Sequence, residues 1–146
     1  MDKILAFIVN ENNKILLLKG NDNDPQFKKS FWYVVTGGCE KYDLNREDTV
    51  KREVKEETGI TKMKEIFYLN WIFKYNSLGV ECTEYAYIVF TKEEKITLNE
   101  ENIAYKWCDI KEFIEKIQWH GDKKELYNVL KEAMEKKLYF KYEKSE

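Results

Sequence analysis

The sequence predicts an α/β fold: a mixed central sheet with helices on both faces. Three observations lead there. Short β-branched and aromatic runs dominate the first 36 residues. A capped helical segment follows the double glycine Gly37-Gly38 and stops at Gly59. Three further strand-like runs and two more helical segments complete the chain, an order that a sheet layered on both sides accommodates.

Each element has a local cause. Residues 4–9 and 14–19 are β-rich and joined by Asn10-Glu11-Asn12-Asn13, which reads as a hairpin turn. Residues 20–30 form a polar loop holding the only proline, Pro25. Residues 31–36 are a β-branched and aromatic strand that ends at the two glycines. A loop over 39–44 leads into a helix over 45–58. Asn45 is its N-cap, Glu47 and Asp48 complement the dipole in its first turn, and Gly59 is its C′ residue. Residues 64–75 and 80–91 are longer strands around the turn Asn76-Ser77-Leu78-Gly79, and 104–108 is a short one. Asp109 caps a helix to about 118 and Asp122 one to about 138. A polar, frayed tail covers 141–146. No repeat or linker interrupts the pattern, so residues 1–146 read as one domain.

Composition narrows the function. The chain is 43% hydrophobic and 15% aromatic over 146 residues, enough for a substantial core. Its net charge is −2, so it has no strongly basic balance to draw it to a nucleic acid polymer. A small anionic substrate would therefore need a metal to screen it. Cys39, Cys82 and Cys108 are odd in number and scattered, which fits free thiols in a reducing compartment. Residues 1–10 are too short and acidic for a secretory signal, and no run has the length of a membrane span. The expectation is a cytoplasmic protein with no membrane partner.

The informative stretch runs from Gly37 to Ile60. At about 100° per residue, with Glu53 at zero, Glu57 falls near 40° and Glu56 near −60°, within a roughly 100° arc of the helix. Arg52 lies at the edge of that arc, beside Glu56. Val50 and Val54 form an apolar stripe next to it. Like charges at this spacing destabilise a bare helix, so a compensating partner is expected. Hard carboxylate oxygens on a rigid element suit Mg²⁺ or Mn²⁺. A solvated charged face is the alternative, in a chain that is 36% charged.

Here the chain resembles the Nudix hydrolase superfamily, whose box is G-x5-E-x7-R-E-U-x-E-E-x-G-U, with U aliphatic. Gly38, Arg52, Glu53, Val54, Glu56, Glu57, Gly59 and Ile60 match, so the box covers residues 38–60. Its first glutamate is replaced by Leu44; Asp43, Glu40 and Glu47 are the nearby acids that could stand in. The resemblance implies an α/β/α sandwich with a mixed central sheet. It also implies that the Gly37 carbonyl, Glu56 and Glu57 ligate metal, with Glu53 a ligand or water positioner and Arg52 orienting the glutamates.

The flanks are similar to one branch, the dATP and dihydroneopterin-triphosphate pyrophosphohydrolases. Residues 31–38, FWYVVTGG, match its F-W-x-x-V-T-G run, and residues 101–107, ENIAYKW, are similar to E-H-x-E-Y-R-W. Trp119-His120 and the segment to Leu130 resemble its closing helix. On this alignment Glu101 is the late carboxylate, a metal ligand or general base, with Glu100 as the neighbouring choice, and Asn102 replaces the branch's histidine. Gly38, Trp32, Tyr33 and Phe73 are the substrate-contacting candidates, the aromatics by stacking on a base. Cys39 has no histidine base beside it to make it a nucleophile.

The resemblance implies a Mg²⁺-dependent hydrolase, with Mn²⁺ as a substitute ion, that cleaves a nucleoside triphosphate to a monophosphate and pyrophosphate. Glu53, Glu57, Arg52 and Glu101 would be the catalytic set. Oxidised dGTP, a dinucleoside polyphosphate and ADP-ribose are alternative substrates. A nucleotide-binding domain without catalysis is the alternative that Leu44 motivates. A homodimer is compatible with the resemblance.

Overall fold

A computed structural model describes residues 1–20 and 31–144, with side chains to 136. The expected polar loop therefore lies outside the described residues from position 21 on, and so do the side chains of the tail. The elements are β1 (Asp2–Val9), β2 (Ile15–Gly20), β3 (Trp32–Tyr33), β4 (Val35–Gly38), α1 (Arg46–Thr58), β5 (Met63–Ser77), β6 (Val80–Thr91), β7 (Asn102–Cys108), α2 (Ile110–Lys116) and α3 (Lys123–Lys144).

β1 is central and apolar on both sides, as the run ILAFIV requires. It runs parallel to β6 along its whole length, and β6 pairs antiparallel with β5. β1 and β2 meet at the hairpin pair Val9 and Ile15 and then diverge. The turn between them is held by Asn10, whose Oδ1 accepts from the amides of Asn12 and Lys14 at 2.9 and 3.0 Å. The divergence leaves free edges on both strands. β4 fills the edge of β1, pairing Lys3 with Gly38 and Ala6 with Val35. β3 fills that of β2, whose other edge takes β7. The single strand expected over 31–36 is thus two strands. To run antiparallel to both diverging partners the chain must turn between them, and it does so at the buried Val34.

The helices cover opposite faces. α1 packs Val50 and Val54, both fully buried, against Ile4, Ala6, Ile8 and Val89. Each such valine contributes roughly 1.5–3 kcal/mol. Asn45 caps α1 by accepting from the Asp48 amide at 2.9 Å, and Gly59 closes it at φ 78°. Arg46 pins its start to the sheet by donating to the Tyr87 hydroxyl at 3.0 Å and lying over the Tyr85 ring. On the other face Leu5, Phe7, Ile88, Phe113, Leu126 and Leu130 enclose the second core beneath α2 and α3. α3 continues past the expected end near 138 to Lys144. Within β5 the ladder advances four residues against two of β6 between Tyr68 and Ile72, with Asn70 at φ 52°. No helix among the described residues is long and apolar enough to cross a membrane.

Candidate functional site

α1 begins eight residues beyond Gly38 in the chain and returns its middle turn to the end of β4. Contact is close enough that a Cβ on Gly37 would land on the Glu53 carboxyl. Glycine is required there by approach rather than by turn geometry. A Cβ on Gly38, one residue on and facing the opposite side of the sheet, would meet nothing within 4 Å.

Arg52 is the hub. Its Nη1 donates to Glu53 Oε1 at 2.8 Å and lies 3.6 Å from Glu56 Oε1. Its Nη2 donates to the Gly38 carbonyl at 2.9 Å. Its Nε and Nη2 grip both oxygens of Asp43, at 3.1 and 2.9 Å, the two-pronged geometry that a guanidinium suits. Asp43 also accepts from the Glu40 amide and the Thr49 hydroxyl, at 2.9 and 2.8 Å. The hydrogen bonds from Arg52, foremost, hold the Asp43 carboxyl well below the usual carboxylate range. Leu44, by contrast, is 90% exposed. Of the three acids that could stand in for the missing glutamate, Asp43 is the one joined to Arg52.

Glu57, one turn further along α1, sits in the opposite situation. It is 6% exposed. Asn102 Nδ2 donates to its Oε1 at 3.3 Å, and a backbone hydrogen bond comes from Thr36. Its Oε2 is buried with no partner among the described residues. Burial, with repulsion from Glu101 and Glu53, pushes its pKa up to about 9. Glu53 is also raised, by burial first, with Arg52 opposing. An orphaned buried carboxylate oxygen, flanked by two more acids, fits a divalent cation. Among the described residues no three carboxylate, imidazole or thiol side chains are already gathered as a ligand cluster.

Glu53, Glu56 and Glu57 do share the helix face expected, but burial divides them: the Glu56 side chain is 52% exposed while that of Glu53 is 12%. Glu101 is exposed at the end of the loop that leads into β7, near enough to perturb Glu57 and Glu53. Trp32, Tyr33 and Phe73 pack on the face away from α1. Tyr33 stacks on Trp119 at 6.2 Å, and Phe73 meets both Trp119 and His120 edge-on, at 5.4 and 5.3 Å. The cysteines are free, with Cys82 and Cys108 buried.

Sequence reasoning missed Asn102 as a partner of Glu57, and missed Trp119 and His120 as the packing partners of Tyr33 and Phe73. It also missed Glu84, a 5% exposed carboxylate on β6. A parity count gives the signal for it: Glu84 shares its side of β6 with Ala86 and Ile88, which are core residues.

Several solved structures share this architecture. A MutT protein from Methanosarcina mazei Go1 superposes with a TM-score of 0.73 at 20% identity, covering 91% of this chain and 94% of that one. The Escherichia coli dihydroneopterin triphosphate pyrophosphohydrolase gives 0.67 at 24% identity, over 84% and 90%. The NUDIX domain of Shewanella oneidensis NrtR, solved with ADP ribose, gives 0.71 at 17%, over 92% and 88%. These likenesses establish a Nudix fold, an α/β arrangement with a mixed sheet and three helices. No curated protein matches the chain. The family model for the NUDIX domain matches residues 1–130, from the first strand into the first two turns of α3. The chain belongs to the NUDIX domain family.

Proposed function

We propose that this chain is a Mg²⁺-dependent Nudix pyrophosphohydrolase that converts a nucleoside triphosphate to a nucleoside monophosphate and pyrophosphate. The observation that carries the reading is Glu57: a buried carboxylate with an orphaned oxygen, among Glu53 and Glu101, beside a glycine-ended strand. Glu57 and Glu53 would hold the ion, with Glu56, Glu101 and the Gly37 carbonyl completing its surroundings. When bound, the cation supplies charge neutralisation for the phosphates and acidifies an attacking water.

The chain's own residues do the positioning. Arg52 fixes the Glu53 carboxylate and ties it to the Gly38 carbonyl, so the acid and the strand end form one rigid unit. Asp43 holds Arg52 from the far side. Asn102 donates to one oxygen of Glu57 and leaves the other without a partner among the described residues. Glu101, exposed on its loop, takes the role of base or outer ligand. Gly38 leaves open space where phosphates can lie against the sheet end.

Substrate class rests on the branch-like flanks and on the aromatic wall of Tyr33, Phe73 and Trp119. The binding-only alternative rests on Leu44, and the Asp43 contact to Arg52 weakens it. Free thiols suit a cytoplasmic setting. The test is product analysis with Mg²⁺, then Mn²⁺, on nucleoside triphosphates, oxidised dGTP, dihydroneopterin triphosphate, dinucleoside polyphosphates and ADP-ribose. Monophosphate plus pyrophosphate from a triphosphate supports the reading. Nucleotide binding with no product under any metal would replace it with the binding-only one.

A further inference from the structure

One transverse row of the sheet joins the strand end at α1 to the aromatic wall. Gly38 on β4 pairs with Lys3 on β1, Lys3 pairs with Glu84 on β6, and Glu84 pairs with Phe73 on β5. Residues paired across strands point to the same side, and this side is the one away from α1, where Leu5, Ala86 and Phe73 also lie. Gly38 and Glu84 are two strands apart, about 10 Å. That is a suitable span between a triphosphate and a base edge.

Glu84 is out of place for a core position. It is 5% exposed, and among the described residues it makes one hydrogen bond, from the Tyr75 hydroxyl at 3.2 Å, and no ion pair. Two carboxylate oxygens offer about four acceptor sites, so most of its capacity is unspent. Burial raises its pKa, with the Tyr75 hydrogen bond and the charge of Lys3 opposing. Around it stand flat surfaces: Phe73 directly opposite, Tyr33, and Trp119 in contact with both. The Tyr33 hydroxyl is raised by burial and by the Glu84 charge, so it remains a neutral donor.

We propose that Glu84 is a specificity-determining residue that binds a 2-amino-4-oxo ring edge, the edge shared by guanine and pterin. Such a ring presents an N–H and an amino group side by side, two donors for the two oxygens of one carboxylate. Adenine alternates a donor with an acceptor there, and its acceptor would face an anionic oxygen. A buried acceptor left without its partner is the arrangement that discriminates most strongly between analogues. Lys3, between Gly38 and Glu84 in the row, is placed to meet the phosphate side of the same ligand.

The inference rests on the nucleotide reading above, and its test is separable from that reading. Equilibrium titration of dGMP and of dAMP, with Mg²⁺ present, reports the base compartment without any turnover. Wild-type protein is expected to bind dGMP at least about tenfold tighter than dAMP. Glu84→Gln, which keeps the shape and swaps an acceptor for a donor, is expected to erase or invert that ratio. If Glu84→Gln fails to fold, Tyr75→Phe removes the hydroxyl that orients the carboxylate and should narrow the ratio. Equal binding of the two nucleotides, no measurable dGMP binding, or a ratio unmoved in the variant that folds would overturn the proposal. Triphosphate hydrolysis, assayed separately, decides the function on its own.

Discussion

Glu53 and Glu57 lie one turn apart on the same helix face, and their surroundings could hardly differ more. Glu53 is met by a guanidinium at 2.8 Å; Glu57 has the Asn102 amide at 3.3 Å, the Thr36 backbone hydrogen bond and one buried oxygen with no partner among the described residues. The first is finished by the protein itself, through Arg52, Asp43 and the Gly38 carbonyl. The second is left incomplete, which costs stability whenever its carboxylate is charged. One half of the helix is thus braced by protein groups, and the other half carries a buried carboxylate oxygen without a partner among the described residues. If the chain binds the proposed cation, the contrast puts it on the Glu57 side, with Glu53 as the rigid wall against it.

The largest expected effect breaks the unfinished half. Glu57→Gln keeps the hydrogen bond from Asn102 but removes the anionic ligand. Turnover with Mg²⁺ should fall about 100- to 1,000-fold, the scale of losing several kcal/mol of transition-state stabilisation. Steady-state kinetics at saturating metal measures it. Unchanged turnover would mean that Glu57 is not a ligand.

The same substitution has a stability effect of opposite sign. In metal-free protein the Glu57 pKa rises from 4.5 to about 9 on folding. The folded state therefore favours the protonated acid. Its contribution is full below about pH 4.5 and is lost as pH climbs toward 9. Metal-free wild type should lose stability across that window, by on the order of 3 kcal/mol near neutral pH. Glu57→Gln should abolish the slope, and Mg²⁺ should reduce it in wild type while releasing protons. Denaturant melts at pH 5, 7 and 9 would expose a flat wild-type profile, which would contradict the unfinished-site account.

A smaller effect is expected from the finished half. Asp43→Asn keeps an oxygen for Thr49 and Glu40 but takes the negative charge from Arg52. Groups that orient metal ligands typically cost 10- to 100-fold when removed, so turnover should fall by roughly that much. Apparent Mg²⁺ affinity should fall with it, because Glu53 loses its brace. A drop in thermal stability with unaltered metal affinity would assign Asp43 to loop folding alone.

What could be read in the sequence is what one helix carries. Arg52, Glu53, Glu56 and Glu57 keep their relation through the helical period alone, and Asn45 and Gly59 mark its ends by local chemistry. The two-sided core followed from the apolar run of β1. The split at Val34 could not be read, because it arises from where β1 and β2 diverge. Asn102 reaches Glu57 across 45 positions, and Glu84 enters its row only through the registers of three strand pairs. Such contacts are set by tertiary geometry, which spacing along the chain does not encode.

The smallest effect decides how the altered box is understood. By sequence, Leu44 is a missing carboxylate, and restoring it should raise activity. By structure, the carboxylate is present one position earlier, gripping Arg52 with both oxygens, while Leu44 points outward. Leu44→Glu alone should therefore leave turnover within about twofold, as a surface change away from any packed feature does. In the Asp43→Asn background the added glutamate has a guanidinium to bind, and part of the lost activity should return. A large gain in the single variant would mean that Asp43 is an imperfect substitute. No rescue in the double variant would mean that the 39–44 loop admits a carboxylate at position 43 only, so that the chain has moved the function of that side chain rather than lost it.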